Sequence, residues 1–107
     1  MERIEFKDWP QINFKGVRIL LANTCDLREQ GFSGAKEEEF ENTIIVFPEI
    51  WEGPFDNKDN GYGPVVRDIK IVYLNENYEK LGKDIMVAET GTSFPPEGAK
   101  IAIEGLP

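Results

Sequence analysis

The chain has no histidine and one cysteine, Cys25, and each scarcity closes off chemistry. Without histidine it lacks the side chain that titrates near neutrality in an ordinary environment, and the commonest ligand for zinc, copper and iron. A Ser-His-Asp triad, a Cys-His pair and a His-containing zinc site are therefore excluded within one chain. A lone thiol cannot close an intramolecular disulfide and suits a reducing compartment, which points to the cytoplasm. Positive charge is short as well: twelve Lys and Arg against twenty Asp and Glu leave a formal charge of -8. That field repels nucleic-acid phosphates and anionic lipid headgroups, so neither nucleic acid nor membrane is an expected partner. No stretch approaches the roughly 18 consecutive apolar residues of a membrane span. Met1 to Gln11 (MERIEFKDWPQ) alternates charged and apolar residues without the basic start and apolar run of a secretory signal, so a soluble, unexported chain is expected.

What is present describes one domain spanning 1–107. A chain of this length buries roughly two-thirds of its unfolded surface in a single core. Apolar residues make up 40% and charged residues 30%, and both are dispersed along the chain as in globular proteins. Val17 to Ala22 (VRILLA) is too brief for a stable helix and reads as a core strand. Asn23 and Thr24 precede a short helix over Cys25 to Gln30, ended by Gly31 in a left-handed cap. Ser33 is expected to cap a second helical turn over Lys36 to Glu41. Thr43 to Phe47 (TIIVF) is a β-branched strand stopped by Pro48, and Ile69 to Leu74 (IKIVYL) has the same character. Tyr78 to Lys83 pairs back as a hairpin, and Ile85 to Ala88 and Ala99 to Ile103 are further short strands. The expected fold is mostly β, a small antiparallel β-barrel or sandwich with one short helical region between Thr24 and Phe40. Ile45, Phe47, Ile69, Ile71, Tyr73 and Ile101 are its expected core.

Several of these segments recur in a fixed order: Thr24, Arg28 and Gly31; the strand end Ile45-Val46-Phe47-Pro48; Phe55; Asp68, Ile69 and Leu74; and Ile103-Glu104-Gly105. This order, covering about Phe14 to Gly105, resembles the prokaryotic domain-of-unknown-function family numbered 192. The resemblance implies a compact β fold and no assigned activity. It also implies a divergent, prokaryotic or phage-borne member. The family has Leu-Met after its glycine where this chain has Phe32-Ser33, and Trp-Met-Lys-Asn-Thr where this chain has Asp56 to Asn60.

Candidate chemistry is mostly turned away by its neighbours. Asp56, Asn60 and Gly61 fall on positions 1, 5 and 6 of a calcium-binding EF-hand loop, but Lys58 and Arg67 stand at positions 3 and 12, so no metal site is expected. Asn, Asp and Gly here have a sufficient reason in turn geometry. Ser33-Gly34-Ala35-Lys36 matches Ser-x-x-Lys without the partner motifs of the penicillin-recognising enzymes. Cys25 lies beside Asp26 with no base, and is read as a small packed residue. Gly61-Tyr62-Gly63 and Gly91-Thr92 open no helix and make no phosphate cradle. No catalytic residue and no cofactor is assigned.

Aromatics remain. Trp51, Phe55 and Tyr62 lie in the long loop from Pro48 to Pro64 with Asp56 and Asp59 among them, and a long loop in a small domain is usually functional or mobile. These five residues form the expected surface for a small molecule or a protein, on a monomer or weak homo-oligomer. The alternative for the aromatics is a lid packed on the core. Two other functional classes stay open: an enzyme acting on a small or carbohydrate substrate through Glu49, Asp56, Asp59 and Asp68, or an acidic protein that covers the basic surface of a nucleic-acid enzyme. An acidic face around Glu37 to Glu41 is the fallback site.

Overall fold

Along β3 (Thr43–Phe47) every second residue, Thr43, Ile45 and Phe47, is buried, and along β5 (Ile69–Leu74) Ile69, Ile71 and Tyr73 are. Period-two burial puts these side chains on one face of a pleated sheet. The structure is a computed structural model that describes residues 2–107. Its other strands are β1 (Gln11–Phe14), β2 (Val17–Leu21), β4 (Phe55–Asp56), β6 (Lys80–Met86), β7 (Thr92–Ser93) and β8 (Ile101–Gly105), with one α-helix, α1 (Cys25–Gln30). Single 3-10 turns occur at Phe6–Asp8 and Glu37–Glu39.

Strand makes up 34% and helix 11% of the chain, as the short β-branched runs implied. The six-stranded sheet has the order β1-β2-β3-β8-β5-β6, and β4 pairs with β7 in a second, two-stranded sheet. Every pairing is antiparallel except β2 with β3, where the crossover through α1 brings the chain back in the same direction. The large sheet stays open, with β1 and β6 as its edges, so no barrel closes. Instead the small sheet stacks on the core face: Phe55 packs edge-on to Phe47 at 5.3 Å between centroids and tilted to Tyr73 at 6.2 Å. Tyr73 Oη and Ser93 Oγ, 2.7 Å apart, hydrogen-bond the two sheets together. Edge strand β6 carries Lys80, Lys83 and Asp84 outward, charges that discourage edge-to-edge pairing.

Five of the six expected core residues fall in one buried cluster, and Ile101 is buried at 8% exposure beside it. A second aromatic group, Phe6, Trp9, Phe32 and Phe40, extends the same core, with Phe32 and Phe40 stacked at 5.0 Å. Thr24 caps α1 by accepting from the Leu27 N–H at 3.2 Å, as expected; Gly31 ends it at the positive φ expected of a terminating glycine, 49°, but with a ψ of -129° in place of the left-handed helical cap.

Four expectations need correction. The turn after α1 is a 3-10 turn entered at Lys36, whose N–H donates to the Glu39 carboxylate; Ser33 is buried upstream and its N–H bonds Gln30 instead. The two strands expected at Tyr78 to Lys83 and Ile85 to Ala88 are the single strand β6, which follows β5 with one irregularity: Tyr73 pairs with Gly82 and Leu74 with Lys80, so that Leu81 is the extra residue of a bulge. The last strand runs to Gly105, two residues beyond the expected end. Cys25 is exposed, because it occupies the first position of α1 while Leu27 and Gln30 turn inward.

Candidate functional site

The last of those corrections to strand bounds matters most, since it places Glu104 inside β8. Its register partners are Ile45 on β3 and Ile71 on β5, both fully buried, so this carboxyl occupies a core-face position between two isoleucines. Glu104 is 7% exposed. Among the described residues no side chain or backbone donor hydrogen-bonds to the carboxyl, and no cation lies within ion-pair distance. Burial alone pushes its pKa from 4.5 up to about 8, because nothing offsets the lost hydration of the charged form.

The carboxyl opens onto a cavity of about 390 Å³, within the size range of small-molecule sites. Phe47 at the end of β3 and Phe55 on β4 form its apolar wall, and Ile50 and Trp51 of the connecting loop form the rim. The end of α1 supplies Arg28 and Gln30. Gly31 borders both the carboxyl and the ring: a Cβ here would make ordinary contacts, 3.7 Å to Glu104 Oε1 and 3.6 Å to Phe47 Cζ, so the positive φ, not lack of space, is what calls for glycine.

Arg28 is the second group of interest. Its guanidinium carbon lies 5.0 Å from the Trp51 ring centroid, in cation–π range, and its Nη2 makes a weak 3.6 Å contact with Cys25 Sγ. Its Nε is buried and has no acceptor among the described residues. The buried amides of the wall are, by contrast, already engaged. Gln30 Oε1 accepts from Ile4 N at 2.7 Å and its Nε2 donates to Ile4 O at 2.9 Å. Asn57 Nδ2 donates to Met86 O and Val87 O at 3.0 and 3.1 Å.

Of the five residues expected to form the binding surface, the structure brings Trp51, Phe55 and Asp56 together on this cavity and leaves Asp59 and Tyr62 off it. Trp51 is 50% exposed, whereas Phe55 packs as a lid on Phe47 and Tyr73. Asp56 accepts from the Lys58 N–H, and Asp59 accepts from the N–H groups of Gly61 and Gly63 at 2.9 and 3.1 Å. These aspartates thus shape the loop. Asn60 donates to Glu29 O at 2.7 Å, and the backbone of Tyr62 abuts Gly34, whose φ of 73° and missing Cβ allow the approach. The second half of the loop is therefore fastened to α1 and the segment after it. Trp51 to Pro54 has no backbone hydrogen bond among the described residues, and it forms the free rim.

The carboxylates of the enzyme alternative do not assemble. Asp68 accepts from Ala88 N at 2.8 Å, Asp59 serves its turn, Glu49 is exposed, and only Asp56 reaches the cavity. On the acidic face, Arg67 pairs with Glu37 and Glu41 at 3.3 and 3.7 Å and Arg3 with Glu39 at 3.6 Å, which dilutes its charge. Among the described residues no group of three or more Cys, Asp or Glu is placed to hold a metal ion, and no helix is long and apolar enough to cross a membrane.

Sequence reasoning missed Glu104 and gave Arg28 no role of its own. The available signal was the alternation Ala102-Ile103-Glu104-Gly105 at the end of an apolar strand, which puts a carboxylate on the same face as a core alanine. Compared with protein-family models, curated proteins and solved structures, the chain matches none.

Proposed function

We propose that this domain is a small-molecule binding module, non-enzymatic, whose site is the cavity between the Trp51 to Pro54 rim, the end of α1 and strand β8. One observation carries the reading: an unpartnered carboxyl, Glu104, sits between two core isoleucines and faces an aromatic-walled cavity. Burying a carboxyl without a partner costs stability. An apolar residue would fill the same position between Ile45 and Ile71 without that cost, so the carboxyl is best explained by a ligand. The half-exposed Trp51 gives the ligand a face to stack on, and the unfastened rim gives it an entrance. The chain is proposed to be a divergent member of the family numbered 192, working in the cytoplasm, where its exposed thiol stays reduced.

A carboxyl raised in a cavity also suits a general acid. The binding reading is preferred because the carboxylates named for catalysis do not assemble: Glu49 is exposed, Asp59 and Asp68 bond backbone N–H groups off the cavity, and Asp56, which does reach it, accepts from the Lys58 N–H. The test is a fragment screen by NMR on the whole chain, with Trp51→Ala as the control variant. Binders should shift the signals of Phe47, Trp51, Phe55 and Glu104 together. Trp51→Ala should weaken binding at least tenfold while moving Tm by no more than about 2 °C, since a half-exposed rim residue contributes little to folding. A library that perturbs no residue of the cavity sinks the proposal.

A further inference from the structure

The cavity is lined by one base, Arg28, and by the acids Glu29, Glu52, Asp56 and Glu104. Among the described residues the Glu104 carboxyl and the Arg28 Nε have no hydrogen-bond partner, and they do not satisfy each other. Glu104 projects from the sheet floor with no donor, and Arg28 comes from the helical wall with Nε buried and no acceptor. Among the described residues no ion pair joins them or either of them to a third residue. Stacking on Trp51 occupies the face of the guanidinium and leaves its in-plane N–H groups for an anion. Planar donors of that kind match a carboxylate in a bidentate fork. A carboxylate floor calls for a cation, since a neutral hydrogen-bonding ligand is equally well met by glutamine at lower desolvation cost. Phe47, Phe55 and Ile50 line the same cavity and accept apolar bulk.

Resting on the binding reading above, we propose that the ligand is a small zwitterion of the α-amino acid class with an apolar or aromatic side chain. Its ammonium sits on the Glu104 carboxylate, its carboxylate on the edge of the Arg28 guanidinium, and its side chain against Phe47 and Phe55. A ligand with one charge answers only half of the site. A ligand with both gives the guanidinium an anion and draws the Glu104 carboxyl into its ionised form, the proton passing to solvent, so that two charge-assisted hydrogen bonds form where neither group had a partner.

The experiment is titration of the full chain, by NMR and calorimetry, with leucine and phenylalanine and with analogues that lack one charge each. The analogues are 2-phenylethylamine and 3-phenylpropanoate for phenylalanine, and 3-methylbutylamine and 4-methylpentanoate for leucine. At least one amino acid should bind tenfold or more tightly than both of its analogues. Glu104→Gln should weaken that amino acid at least tenfold and leave the matching carboxylate analogue unchanged. Arg28→Gln should weaken it similarly and leave the amine analogue unchanged. Glu104→Gln replaces a buried acid with a neutral isostere, so its fold is expected to be intact, and its thermal melt checks this. Equal binding of the amino acids and their analogues, or indifference to Glu104→Gln, overturns the ligand class. The same holds if the fragment screen finds cavity binders while neither amino acid binds. In those cases the binding module survives; a cavity that takes neither fragments nor amino acids ends both.

Discussion

Glu104 makes the stability of this domain depend on pH in a direction opposite to that of a carboxylate paired with a cation in the folded state. In the unfolded chain its carboxyl ionises near 4.5, and in the folded domain burial raises this to about 8. Between those values the folded state holds a proton that the unfolded state has released, so stability falls as pH rises. The slope is about 1.4 kcal/mol per pH unit. The loss is about 3 kcal/mol by pH 7 and about 5 kcal/mol once pH passes 8, where it levels off. Below pH 4.5 both states are protonated and this residue contributes no further change. Against a typical domain stability of about 5 to 15 kcal/mol, that is a large share. Urea denaturation of the wild type and of Glu104→Gln at intervals from pH 4 to 9 isolates it, because the other nineteen acidic residues are common to both proteins. The glutamine variant should gain steadily on the wild type from pH 5 to 8 and hold a constant lead above that. Parallel curves for the two proteins refute the reasoning, since they mean that the carboxyl is hydrated or paired in the folded state.

Two further outcomes follow from packing. Phe47→Ala removes a ring that is 2% exposed and edge-on to Phe55, and should cost about 3 to 5 kcal/mol in a urea titration; a near-neutral result would place Phe47 outside the core. Asn57→Ala takes the donor from Met86 O and Val87 O, and should cost about 2 to 3 kcal/mol. Hydrogen exchange should then speed up at Gly91 and in the β4–β7 pair, next to the backbone bond from Asn57 N to Gly91 O.

The strands that carry the fold were legible because their residues leave little choice: Thr43 to Phe47 and Ile69 to Leu74 are β-branched, short and bounded by Pro48 and Asn75. The helix was legible because its cap and its terminating glycine stand at helical spacing. The insertion of β8 between β3 and β5 was not, since strand order is set by long-range pairing that no local pattern encodes. The site was half legible for the same reason. Clustered aromatics in a long loop drew attention to Trp51 and Phe55, but their partners lie on α1 and β8, far away in sequence. Asp59 and Tyr62 looked equivalent to them only because the loop had not yet been folded around Asn60 and Gly34. Glu104 was hidden by its own chemistry, since a glutamate following an apolar run ordinarily marks where a strand leaves the core.

The position of β8 also dictates when the cavity can exist. It is the last strand in chain order and it lies in the middle of the sheet, flanked by β3 and β5. During synthesis the β1–β2–β3 side and the β5–β6 hairpin can each form as they emerge, but they have no edge in common until residues 101–105 arrive to join them. Non-local closure of this kind is slow, and exposed strand edges are vulnerable while it is pending. The strand that completes the sheet is also the one that carries Glu104, so the buried acid enters the core in the same step that makes the core continuous. A nascent chain therefore presents no half-built binding site: the floor of the cavity and the cooperativity of the fold appear together.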